Sequence, residues 1–130
     1  MITVGAQQLV DEANAEIETI AAEDVVALQG DDNVVLIDIR DVRELKREGR
    51  VPGALHMPRG MLEFWVDPDS PYYRDVFGSG KKFVFFCAGG LRSALATQQL
   101  QKMGLQPVAH IGGGFGAWRD AGGSVDKDES

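Results

Sequence analysis

The chain holds a single cysteine, and the residues around it are the ones best suited to chemistry. Cys87 closes the apolar run Phe83-Val84-Phe85-Phe86 and is followed by Ala88, Gly89, Gly90, Leu91, Arg92 and Ser93. Such a run reads as a short buried strand. Apolar residues at 91, 95, 96, 100 and 103 then recur at helical spacing, which puts the thiol in a turn between strand and helix. Gly89 and Gly90 can take positive φ without a Cβ clash, so successive N–H groups can gather around an anion. The opening turn of the helix adds unpaired N–H groups and the positive end of its dipole. Arg92 adds a permanent cation. A free cysteine titrates near about 8.5, and surroundings of this kind lower it to roughly 3.5–7.5. The product is a thiolate, which is both a nucleophile and an acceptor of sulfur. A lone cysteine at the end of a strand is otherwise a small apolar filler. The glycine pair, the arginine and the following helix together favour the nucleophile.

These residues need a frame. Val34-Val35-Leu36-Ile37-Asp38 is a continuous apolar strand of the kind buried on both faces of a parallel sheet. A helix follows over Val42 to Glu48, and Val108-Ala109-His110-Ile111 is the last strand, with the last helix opening over Gly112 to Trp118. Earlier, Ile17 to Ile20 reads as a first strand and Ala21 to Gln29 as a helix stopped by Gly30. Strands alternating with helices predict an α/β fold with a mainly parallel central sheet and helices on both faces. Cys87 then lies at the carboxyl end of a strand, where open α/β sheets bind ligands. Ala6, Leu9, Val10 and Ala13 line one helical face, so residues 1–16 form a helical extension packed on the domain or on a partner. Residues 17–125 are the domain, and 126–130 a frayed charged tail. The least regular segment, Arg59 to Phe77, is long and aromatic, and a connection of that kind is commonly functional. Phe64 and Trp65 are expected either to form an apolar wall beside Cys87 or to plug the edge of the core.

Cys87-Ala88-Gly89-Gly90-Leu91-Arg92-Ser93 resembles the active-site loop of single-domain rhodanese-like sulfurtransferases, Cys-x-x-Gly-x-Arg-Ser. Asp38-Ile39-Arg40, Gly49-Arg50-Val51-Pro52-Gly53-Ala54 and Gly112 to Trp118 are similar to further segments of that family. The resemblance spans about residues 17 to 125 and implies the rhodanese-like fold. It also implies transfer of sulfane sulfur from a donor such as thiosulfate to a thiophilic acceptor, through a persulfide on Cys87. The loop residues Ala88 to Ser93 would bind the anionic donor. Asp38 and Arg40 would support the strand end rather than react, and His56 would be a packed strand residue. Many family members carry a basic residue where this chain has Ala88, which keeps open a second reading, a persulfide carrier serving one partner. Phosphatases and arsenate reductases of related fold have five residues between Cys and Arg; here there are four, which favours sulfur over phosphate.

Composition narrows the partners. With 130 residues, 44% hydrophobic and 25% charged, the chain suits one soluble domain with a core. A net charge of −7 argues against nucleic acid as a partner. No apolar run has the length of a membrane span and no signal peptide is recognisable, so a cytoplasmic location is expected. One cysteine excludes an internal disulfide, and two histidines in no zinc pattern predict no metal; no cofactor is expected. The expected partners are a small anionic sulfur donor and a thiol or protein acceptor. Between Asp75 and Asp120 there is no acidic residue, so the cysteine segment is locally basic.

Overall fold

The computed structural model describes residues 1–127. Helices and strands alternate: α1 (Ala6–Glu16), β1 (Glu18–Ile20), α2 (Ala22–Ala27), β2 (Val34–Asp38), α3 (Val42–Glu48), β3 (Leu55–His56), α4 (Leu62–Val66), β4 (Lys82–Phe86), α5 (Leu91–Lys102), β5 (Val108–Ile111) and α6 (Gly114–Asp120). The five strands form one sheet in the order β1-β5-β4-β2-β3, with every neighbouring pair parallel. β4 is central, so both its edges are bonded and the turn that follows it starts from a fixed point. Parallel pairing needs crossover connections, and the helices supply them. Among the described residues, no helix is long and apolar enough to cross a membrane.

Side chains of β4 alternate between two cores, as the two-residue period of a strand requires. Phe83 and Phe85 join Ile37, Ile39, Leu62 and Leu100 on one face. Val84 and Phe86 join Ala22, Val25, Phe115 and Trp118 on the other. Continuing the parity, Cys87 falls in the first cluster. That is the side covered by α5, so the thiol lies beneath the start of that helix.

α5 buries Ser93, Ala94, Ala96, Thr97 and Leu100, while Leu91 and Met103 are 57% and 44% exposed. The apolar stripe expected from the sequence is therefore rotated toward small residues. The cause is close approach: α1 packs Val10 and Ala13 on Ala94, and a larger side chain there would hold the helices apart. α1 is thus seated on the domain itself, tied further by Gln98 Nε2 to Glu16 Oε2 at 2.9 Å.

Two expectations need correction. The segment 59–77 is more regular than its sequence suggests, with α4 flanked by 3-10 turns at Arg59–Met61 and Asp75–Gly78. Asp126, assigned to a frayed tail, exchanges backbone N–H···O=C bonds with Arg50, both 2.8 Å, because Val125 is anchored against the second core. Residues 128–130 of that tail lie outside the described residues.

Candidate active site

The loop after β4 folds around the sulfur of Cys87. The backbone N–H of Gly90 donates to Sγ at 3.2 Å and that of Ser93 at 3.4 Å. Ser93 Oγ stands 3.6 Å from the same sulfur. Gly90 has φ of +101°, the left-handed turn that starts α5; Gly89, also expected to turn this way, does not. The loop carbonyls are engaged elsewhere. Phe115 N–H donates to Cys87 O at 2.8 Å and Gly116 N–H to Ala88 O at 3.1 Å, so the first turn of α6 holds the back of the loop. Gly114 permits that approach: at φ +61°, an added Cβ would lie 2.5 Å from Cys87 O. Donated N–H groups and the α5 dipole favour a negative sulfur. The thiol is 1% exposed, so the loop encloses it.

Arg92 does not stand as a free cation. It makes two hydrogen bonds to Glu44, NH1 to Oε2 and NH2 to Oε1, both 2.9 Å. Asp41 caps α3 in a capping box whose return bond, Asp41 N–H to Glu44 Oε2 at 2.9 Å, orients Glu44 toward Arg92. The Arg92 hydrogen bonds hold the Glu44 carboxyl well below its usual range, at about 2. Arg92 is raised in turn, chiefly by Glu44 and less by Cys87. The basic character expected of this segment is therefore offset by an acid from α3. A count along the chain misses it because the two are 48 residues apart.

Asp38 and Arg40 form a sealed pair away from the sulfur. Arg40 Nε reaches Asp38 Oδ1 at 3.0 Å, and its NH2 reaches Asp38 Oδ2 at 2.8 Å and Gly49 O at 2.9 Å. Its guanidinium stacks 4.0 Å from the Phe115 ring. The pair joins the end of β2 to the loop before β3 and to α6, which backs the Cys87 loop. His56 Nε2 contacts Arg40 O at 2.7 Å in the same structure.

Phe64 and Trp65 do not form one wall. Phe64 is 52% exposed, edge-on to Tyr72 with ring centroids 6.5 Å apart. Trp65 packs at the border of the cluster that contains Cys87, with Arg74 over its ring at 5.9 Å. Both sit on α4, where successive side chains diverge by about 100°, so one turns inward and the other out.

The sequence places His110 in the last strand and in no metal-binding pattern. In the structure its Nδ1 stands 2.8 Å from Ser93 Oγ, and its Nε2 lies 3.0 Å from Asn14 Oδ1 and 3.1 Å from Thr19 Oγ1. Burial pushes its imidazole below the usual range. The sequence signal is faint: a histidine within an otherwise apolar strand that ends beside the glycine run.

The chain matches the Rhodanese-like domain over residues 21–121. A solved structure from Rhodopseudomonas palustris, described as a protein of unknown function and possible tyrosine phosphatase, is 58% identical. It aligns over 97% of both chains with a TM-score of 0.94. A Bacillus subtilis protein named "Putative sulfurtransferase YtwF" is 31% identical over 79% of this chain and 88% of its own. A tRNA uridine(34) hydroxylase of Brucella anthropi is 36% identical over 74% of this chain but only 30% of its own length. The chain spans about half the length of another relative, an uncharacterized Synechocystis protein.

Proposed function

The chain belongs to the Rhodanese-like domain family, and from that premise we propose that it is a sulfurtransferase carrying sulfane sulfur on Cys87. The observation that supports this most is the pair of N–H groups, from Gly90 and Ser93, aimed at the cysteine sulfur under the start of α5. With thiosulfate as donor, the Cys87 thiolate attacks the outer sulfur. The sulfur–sulfur bond of thiosulfate breaks, and its electron pair leaves on sulfite. The terminal sulfur of the persulfide then passes to an acceptor thiolate, or to cyanide in an assay, which regenerates the Cys87 thiolate. A covalent intermediate of this kind gives ping-pong kinetics. The name of the Bacillus relative agrees with this chemistry.

A second reading, a persulfide carrier serving one partner, is supported by two features. The sulfur is 1% exposed, and the Arg92 charge is matched by Glu44, so a small anion must displace Glu44 to engage Arg92 and still meets an enclosed thiol. The description of the Rhodopseudomonas structure raises phosphate ester hydrolysis. The loop has four residues between Cys87 and Arg92, one fewer than in the phosphatases of related fold, which favours sulfur over phosphate.

Intact mass after incubation with thiosulfate tests the reading. A gain of one sulfur atom that is removed by reductant and absent in Cys87→Ser supports it. Loading with negligible turnover to cyanide assigns the carrier role. Cys87-dependent hydrolysis of an aryl phosphate without sulfur loading overturns both.

A further inference from the structure

We propose that His110 accepts the proton of the Cys87 thiol through Ser93, and that Asn14 of the N-terminal helix sets the imidazole for this task. The inference rests on Cys87 being the sulfur carrier. A buried thiol cannot pass its proton directly to water, and both Cys87 and Ser93 are sealed, at 1% and 0% exposed. His110 lies at the far end of the contact chain and lines a surface groove of about 400 Å³ together with Asn14, Thr19, Gly89 and Gly113. The chain of contacts therefore runs from an enclosed sulfur to a wall of that groove.

The hydrogen bonds give the route a direction. An amide oxygen only accepts, so the contact with Asn14 Oδ1 places the proton on His110 Nε2. Nδ1 is then the free acceptor, and Ser93 Oγ–H donates to it at 2.8 Å. The Ser93 oxygen, its own proton committed, accepts from the Cys87 thiol at 3.6 Å. On activation the S–H bond breaks and its proton moves to Ser93 Oγ while the Ser93 proton moves to Nδ1. The electron pair stays on sulfur. The products are thiolate and imidazolium, and the new Ser93 O–H points at the thiolate. The imidazolium still donates to Asn14 from Nε2.

The side chains that meet the ring by hydrogen bonding come from three elements, Asn14 from α1, Thr19 from β1 and Ser93 from α5, and none is charged. Phe85 is its register partner on β4. Burial without a counter-charge keeps the resting imidazole neutral, the form that can take a proton. α1 lies outside the 21–121 range of the family match, so the Asn14 contact reaches the loop from beyond the matched domain.

The test is the pH midpoint of Cys87 alkylation by iodoacetamide, which needs no sulfur donor and so can be read even if sulfur loading fails. Asn14 is exposed on α1, so a substitution there leaves the core untouched. Asn14→Asp supplies a carboxylate that stabilises the imidazolium, and it is expected to lower the midpoint by about half a unit. A field effect on the thiol alone has the opposite sign. His110→Gln is expected to raise the midpoint, and in the Ser93→Ala or His110→Gln background Asn14→Asp should no longer lower it. A midpoint unmoved or raised by Asn14→Asp overturns the proposal, and so does a downward shift that survives either background.

Discussion

Two arginines, Arg40 and Arg92, follow the carboxyl ends of neighbouring strands, and each grips a carboxylate with two nitrogens. Arg40 and Asp38 are two residues apart and 1% and 2% exposed. Arg92 and Glu44 come from different helices and are 44% and 19% exposed. The same chemistry thus serves opposite ends. The sealed pair has no solvent to fall back on, so losing one partner strands a charge. The open pair can exchange with water, so Arg92 can leave Glu44 when an anion arrives. Burial separates a pair that holds the fold from one that can respond.

The sharpest break in that comparison is Asp38→Ala, which leaves Arg40 buried without its partner. A loss of about 3–5 kcal/mol is expected in urea denaturation. A loss under about 1 kcal/mol would mean that water enters and the two pairs do not differ in kind.

Next is the contact that holds the back of the Cys87 loop. Gly114→Ala forces a Cβ against Cys87 O at positive φ and is expected to cost about 1–3 kcal/mol and most of the sulfur loading. Gly89→Ala meets nothing within 4 Å and should stay within about 0.5 kcal/mol. Thermal melts and mass spectrometry of the two variants check this; equal damage would show that the loop is rigid throughout.

Glu44→Gln probes the open pair. Its effect on stability at neutral pH is expected to be within about 1 kcal/mol. The Glu44 pKa is depressed to about 2 by the Arg92 hydrogen bonds, from an ordinary value of 4.5. Its contribution is therefore fully present above about pH 4.5 and lost as pH falls toward about 2. The stability difference between wild type and variant should shrink over that window. With Arg92 released, alkylation of Cys87 at pH 7 should quicken about two- to fivefold. No change in rate would separate Arg92 from the sulfur altogether.

The smallest effect belongs to the aromatic segment. Phe64→Ala is expected to shift stability by no more than about 0.5 kcal/mol and to leave sulfur loading as it was. Slower loading in this variant would restore Phe64 to the site despite its exposure.

The Cys87 loop was legible because its parts are local: strand, glycine turn and helix start are consecutive, and their backbone directions follow from short-range sterics. Asp38 and Arg40 could be assigned to support for the same reason, since a pair two residues apart at a strand end meets without help from the rest of the chain. The split between Phe64 and Trp65 was hidden because α4 is a five-residue helix in an irregular segment, too short to show a period. The actual buried face of α5 was hidden because Ser93, Ala94 and Thr97 are small or polar, and only the closeness of α1 demands such residues.

By itself the sequence determined the alternation of strand and helix, the parallel sheet, the position of the thiol at a strand end and the donors placed around it. These depend on hydrophobic period, glycine freedom and helix polarity, all of which act within a few residues. Only the tertiary structure decided which polar side chains meet. Glu44 reaches Arg92 across 48 residues and Asn14 reaches His110 across 96. Such pairings depend on sheet order and helix packing, and no local preference encodes them. The surroundings of Cys87 were written twice, once in its loop and once in the fold that brings α1, α3 and β5 beside it.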